Sequence, residues 1–211
     1  MVPGAPRILP LATPRGRPRN VTRRNAIVRA ALRLFADQGF AGTTMREIAG
    51  ACDIGETLVY RYYARKVDVL DAVVEYVLHQ MQGAHDALLL TARRSRLPRQ
   101  FLACAGIIYL HHVEELEAWY VARLSVLPLD LGQRSRLAAA DAALPNVIAA
   151  YLRACDCLRD AGVIAAAFTD AILNHVLMAK REALSDEQLR RTFLDELVDA
   201  LLLGAGCTKA P

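Results

Sequence analysis

Five arginines, Arg15, Arg17, Arg19, Arg23 and Arg24, follow one another on a chain broken by Pro14, Gly16 and Pro18. Arginine forks at this spacing can follow a polyanion. Arg15-Gly16-Arg17-Pro18 is flat and extended, with little bulk between two guanidinium groups, a shape suited to a narrow A·T-rich minor groove. It also looks like the core of an AT-hook. The competing reading is a polar terminus that only solubilises the chain. A second set of residues offers chemistry of another kind. Gly55, Glu56 and Thr57 open a short segment that continues through Tyr60, Arg61 and Tyr62 to Lys66. On a helix lying in a major groove, Glu56 can accept from a cytosine amino group and Thr57 can present a hydroxyl or a methyl. Glu56 is equally well explained as a solvated carboxylate at a helix N-terminus. Tyr60 and Tyr62 are suited to donating to phosphates, and Lys66 with Thr44 and Arg46 to clamping the backbone, contacts that position without reading sequence.

These residues need elements to hold them. Ile27, Ala30, Ala31, Leu34 and Phe35 recur at helical spacing, and Gly39 stands where a left-handed C-cap belongs. Thr44-Met45-Arg46-Glu47 is a capping box, in which the Thr hydroxyl takes the Glu amide proton and the Glu carboxylate returns to the Thr amide. A short helix over residues 45–51, the turn Cys52-Asp53-Ile54 and a second short helix ending near Tyr62 predict a helix-turn-helix. Ile48, Ala49, Ile54, Val59 and Tyr63 form its inner face, and the small Ala49 allows a close crossing. An ordinary helical hairpin predicts no basic or aromatic bias on the second helix, yet Tyr60, Arg61, Tyr62, Arg65 and Lys66 cluster there.

Charge supports a polyanion partner at one end only. Residues 1–66 carry 12 Lys+Arg and 4 Asp+Glu, a net +8; the remainder carry 14 and 18, a net −4, which together give the +4 of the whole chain. A basic end joined to an acidic helical body is the footprint of nucleic-acid binding. The five cysteines include no Cys-x-x-Cys pair and are read as buried thiols in a reducing compartment. The apolar run from Leu97 to Val113 is interrupted by Pro98, Arg99, Gln100, His111 and His112 and is too short and polar for a membrane span. Arginines and prolines stand where a secretory signal would need an apolar core, so a cytoplasmic location and no membrane partner are expected.

The block from about Arg24 to Leu70 resembles the DNA-binding domain of the TetR family of bacterial transcriptional regulators. Ala30-Ala31, Leu34-Phe35, Gly39-Phe40, Thr43-Thr44, Ile48-Ala49, Ile54, Tyr60, Tyr63, Lys66 and Leu70 fall in the family's order and spacing. Four positions depart from the pattern. Asp53 takes the usual turn Gly, Gly55 the usual Ser, Glu56-Thr57 a frequent Lys-Gly pair, and Tyr62 a frequent His. The resemblance implies an all-α fold divided into an N-terminal three-helix DNA-binding domain and a larger helical ligand-binding and dimerisation domain. The expected divisions are a disordered basic arm over 1–20, the helix-turn-helix domain over 21–66, and the effector-binding and dimerisation domain over 67–211. With the helix-turn-helix in a major groove, Arg15, Arg17 and Arg19 come within reach of the adjacent minor groove.

Beyond Lys66 the sequence predicts a long helix to about residue 91, another from Pro98, a third carrying EELEAWYVARLSVL, a long one through LPNVIAAYLRACDCLRDAG, and two last helices over 165–184 and 185–203. The apolar stripe Phe193, Leu197, Leu201 continues with Val198 and Leu202, wider than one neighbour needs. The resemblance implies that the last two helices pair with those of a second copy as a four-helix bundle, giving a homodimer on a double-stranded DNA operator with palindromic half-sites. Polar and aromatic residues among apolar ones, Tyr109, His112, Trp119, Arg123, Tyr151, Asn174 and His175, mark a candidate cavity for a small, largely apolar effector, each with a structural core role as the alternative. No cofactor is expected. The run HHVEELE invites a metal, but His111 and His112 diverge on a helix and no metal site is expected. No spacing of acid, base and nucleophile points to an enzyme. The expected function is a ligand-responsive repressor; an architectural DNA-binding protein that uses the arm and has no effector is the alternative.

Overall fold

The computed structural model describes residues 18–122, 127–155, 160–181 and 187–204. Among them the chain forms nine helices and no strand: α1 (Pro18–Gly42), α2 (Met45–Ala51), α3 (Glu56–Tyr62), α4 (Lys66–Arg94), α5 (Pro98–Glu115), α6 (Glu117–Ala122), α7 (Leu131–Ala154), α8 (Ala161–Arg181) and α9 (Glu187–Gly204). Pro18 opens α1, where its fixed φ suits a first turn and its missing N–H costs nothing. Helix therefore begins inside the segment expected to be an arm. Ile27, Ala31 and Phe35 are fully buried, and so nearly are Val28 and Leu32, which the apolar stripe did not include. The buried face is wide because α1 packs against α2, α4 and α6.

Gly39 has φ 75° and ψ 166°. The positive φ was expected, but the extended ψ puts it in a region that only glycine occupies freely, so it breaks α1 without forming a left-handed cap. The next stop signal does use the left-handed region. Asp53 has φ 51°, its amide donates to Gly50 O at 3.1 Å, and the Ile54 amide donates to Ala49 O at 3.1 Å. That pair of bonds is a Schellman motif, and an aspartate holds its special position at modest cost.

The body differs from its sequence reading in several places. α4 runs on to Arg94. The segment EELEAWYVARLSVL is split at Leu116, so that its first residues end α5 and residues 117–122 form α6. α7 starts at Leu131, well before the expected Leu144, and carries Pro145 inside it. Asp130 caps α7 by accepting from the Gln133 amide at 2.7 Å, while Gln133 Oε1 accepts from the Asp130 amide at 2.9 Å. From the same turn Gln133 Nε2 donates to Asp71 Oδ1 (2.8 Å), and Arg136 forks onto Glu75 at 2.6 and 3.0 Å. These contacts fasten α7 to the N-terminal half of α4.

α5, α8 and α9 meet closely at Gly106, where an added Cβ would lie 3.0 Å from Leu194 Cδ2 and 3.2 Å from Phe168 Cζ. Leu194, Val198 and Leu202 are the buried face of α9, while Phe193, Leu197 and Leu201 are only partly buried. α8 buries Ala165, Phe168 and Ile172 but exposes Val163 and Met178. The window Ala161–Met178 has a mean hydropathy of 1.5 and is one-third buried. It is thus longer and more apolar than the run from Leu97 that was weighed against a membrane span.

Candidate nucleic-acid interface and buried polar cluster

The helix-turn-helix is built from its caps outward. Thr44 Oγ1 accepts from the Glu47 amide at 3.2 Å, and Glu47 Oε2 accepts from the Thr44 amide at 2.7 Å and from its hydroxyl at 2.8 Å. These bonds from Thr44, the hydroxyl first, hold the Glu47 carboxyl below its ordinary range. The Thr44 hydroxyl expected at a phosphate is thus also the cap of α2, and its residue is exposed. α2 buries Met45, Ile48 and Ala49 and leaves Arg46 exposed. α3 buries Val59 and exposes Gly55, Glu56, Thr57, Tyr60 and Arg61. Its N-cap is Gly55, which supplies no side-chain bond, so Glu56 in the first turn is the acceptor nearest the helix N-terminus. Tyr62 shares a face with Val59 and is half-buried against the domain core, where it is less open to a phosphate than Tyr60.

Lys66, expected at the phosphate backbone, also has partners inside the protein. Its Nζ donates to Phe40 O at 2.6 Å and Thr43 O at 2.7 Å, with Ala41 O at 3.4 Å, and sits 4.4 Å from the centre of the Phe40 ring. The break at Gly39 leaves carbonyls at the end of α1 without helical partners, and the ammonium satisfies them. Arg65 is engaged as well: its guanidinium holds Asp68 Oδ1 at 2.7 Å and keeps that carboxyl below its ordinary range. Arg15 and Arg17 lie outside the described residues. Arg19 belongs to the first turn of α1, and its side chain lies outside them.

Of the seven residues proposed to line a cavity, three are deeply buried: Tyr109, His112 and Trp119. His112 Nε2 and Tyr120 Oη are 3.4 Å apart, and the Tyr109 ring lies 6.0 Å from that of His112. Burial, and then the adjacent His111, pushes His112 down to about 4. It is therefore a neutral imidazole at physiological pH. Trp119 is 2% exposed, and among the described residues its buried Nε1 has no hydrogen-bond partner, an arrangement that costs about 1–3 kcal/mol and is uncommon. Tyr120 completes the cluster and was missed; its signal was its adjacency to Trp119 in an apolar helix.

Tyr151, His175 and Asn174 do not converge there. Tyr151 stacks on Phe101 at 3.9 Å and donates to Ser95 O at 3.1 Å; burial, then Cys155, pushes its phenol up to about 12. His175 stacks on Phe193 at 3.9 Å, and Asn174 is exposed on α8. Arg123 lies outside the described residues. Among the described residues no three His, Cys, Asp or Glu side chains converge as metal ligands.

Two short helices held at a Schellman turn, with the outer face of the second open to solvent, define a helix-turn-helix DNA-binding protein. The family model for bacterial regulatory proteins of the tetR family matches residues 27–73. That match covers the helix-turn-helix segment of the chain, α2 and α3 with the parts of α1 and α4 that flank them. It is 34% identical over 74 residues to the HTH-type transcriptional regulator BetI of Rhizobium meliloti, a stretch covering 35% of this chain and 36% of that relative. Its matches span only 19% to 36% of the length of the curated relatives. The fold as a whole is similar to a tetR-family bacterial regulatory protein from Rhodococcus RHA1, with TM-score 0.68, 19% identity and 88% and 98% of the two chains covered. It is also similar to the transcriptional regulator FadR from Bacillus subtilis in complex with stearoyl-CoA, with TM-score 0.62, 13% identity and 85% and 98% covered.

Proposed function

We propose that this protein is a dimeric transcriptional repressor that reads a palindromic operator with α3 and leaves it when the helical body takes up a small, largely apolar effector. The exposed row Glu56, Thr57, Tyr60 and Arg61, with Arg46 beside it and Val59 locked into the core behind it, carries the reading. Glu56 and Thr57 meet base edges, Tyr60, Arg61 and Arg46 meet phosphates, and Arg15, Arg17 and Arg19 extend the contact into the flanking minor groove. The apolar nature of the body, and the stearoyl-CoA held by the FadR neighbour of the same fold, favour an effector with a long apolar part. Selection of duplexes from a random pool tests this function. Enriched sequences should carry inverted half-sites about one helical turn apart. Thr57→Ala should relax the preferred sequence, and Tyr60→Phe should weaken all duplexes alike. A pool that stays random would sink the proposal.

In this reading the dimer forms through α8 and α9. Val163 and Met178 on α8 and the half-buried Phe193, Leu197 and Leu201 on α9 form an apolar face that the other described residues leave partly open. A helix as apolar as α8 needs that face covered, and Asp170 on its exposed side suits a wet, protein-paired surface better than hydrocarbon. Met178→Glu tests the face without touching the core, since Met178 is 53% exposed. It should weaken the dimer by about tenfold or more in sedimentation while the helical content stays unchanged. An unaltered dimer would move the interface elsewhere.

A further inference from the structure

Arg29 extends from α1 to two elements of the body at once. Its Nε donates to the Tyr76 hydroxyl on α4 at 3.1 Å, and its Nη2 to Glu115 Oε2, at the last residue of α5, at 3.0 Å. The Arg29 and Glu115 side chains are 53% and 41% exposed, so as a source of stability the pair is weak. Its placement is more telling. Glu115 lies one turn beyond His112, and His112 meets Tyr120 across the break between α5 and α6. The break is pinned at Leu116, which is fully buried, and α6 packs mainly against α1. The buried His112–Tyr120 pair and the exposed Arg29–Glu115 pair thus bracket the same junction, one on the body side and one reaching the DNA-binding domain.

We propose that the Arg29–Glu115 ion pair, seated by the Tyr76 hydroxyl, is the polar link that ties the orientation of the DNA-binding domain to the state of the His112–Tyr120 pair. Any shift of α6 that separates Tyr120 from His112 turns the end of α5 and carries the Glu115 carboxylate with it. Arg29 follows that carboxylate or loses it, and α1 is released or held accordingly. A weak, solvated pair suits this work because it can be broken and remade at little cost. Coupling between two sites is reciprocal, so DNA bound at α3 must alter the junction as much as the junction alters DNA binding. The link rests on the proposed DNA-binding role.

The chain's single tryptophan, Trp119, lies in α6 beside Tyr120 and reports on the junction. The probe is a duplex selected by the protein from a random pool, added to saturation. Wild-type emission should change on binding. In Arg29→Gln and Glu115→Gln that change should fall by at least half, while affinity for the duplex stays within about fivefold. The exchanged pair, Arg29→Glu with Glu115→Arg, should restore it. A full wild-type change in both single variants overturns the link and leaves the DNA-binding role standing, as does a wild-type protein whose emission ignores the duplex. If no duplex is bound, the DNA-binding role and the link fall together.

Discussion

Acidification from pH 7 to pH 5 should cost the folded protein about 2 kcal/mol through one side chain, rising to about 3 kcal/mol once His112 is titrated in both states. The folded His112 is held down to about 4 from 6.5 by burial and by His111. The unfolded chain therefore takes up the proton first. The contribution is fully present above the unfolded value and is lost as pH falls through the interval toward the folded one. The carboxyls held below their ordinary range, Glu47 by Thr44, Asp68 by Arg65 and Glu75 by Arg136, act in the opposite part of the scale. Their stabilisation is present above the unfolded carboxylate value and fades mainly at more acidic pH, so these carboxyls add little between pH 7 and 5. Urea unfolding of wild type and His112→Gln at the two pH values checks this. The variant keeps a polar partner for Tyr120 but cannot titrate, and its stability should be nearly flat. An equal loss in both proteins would assign the acid sensitivity to another group.

The buried imidazole also bears on how the body could respond to a ligand. A neutral His112 faces the Tyr120 hydroxyl at 3.4 Å, a long bond, and among the described residues the Trp119 N–H has no partner. An occupant with a hydrogen-bond acceptor near the Trp119 N–H would satisfy that donor. That difference in satisfaction is what an effector needs in order to prefer one state of the body over another, since equal affinity for both would shift nothing.

How much of this was readable in advance depended on how local each signal was. The Thr44–Glu47 box and the turn at Asp53 are written within a few residues and appear in the structure where the sequence puts them. α7 was misplaced because Pro145 argues against a helix interior. Yet packing against α4 and α8 carries the helix through it, and the Asp130–Gln133 box was a start signal of the same kind as Thr44–Glu47. The candidate cavity fared less well, because a residue type does not say which side of a helix faces the core. Asn174 and His112 look alike as polar residues in apolar helices, and only the neighbours of α8 and α5 separate an exposed side chain from a buried one. The Arg29–Glu115 pair joins residues 86 apart, a distance no local pattern spans.

Lys66 shows the same limit most sharply, and it can be put to a test. As a phosphate clamp it would leave the free protein's stability unchanged when removed. The structure gives it other work, because its ammonium holds the Phe40 and Thr43 carbonyls at 2.6 and 2.7 Å beside the break at Gly39. Carbonyls at the end of α1 are among those a helix cannot satisfy itself, and hydrogen bonds from a charged donor are worth about 1.5–3 kcal/mol each, less where water can substitute. Lys66→Met keeps the aliphatic stem near Phe40 and removes the donors. It should therefore lower the unfolding free energy by about 2 kcal/mol in the absence of DNA, and weaken DNA binding only as a consequence of a loosened α1–α2 junction. Unfolding without DNA and duplex binding across a salt series, run on the same variant, separate the two roles. Unchanged unfolding together with a salt dependence flattened by about one charge would return Lys66 to the phosphate backbone.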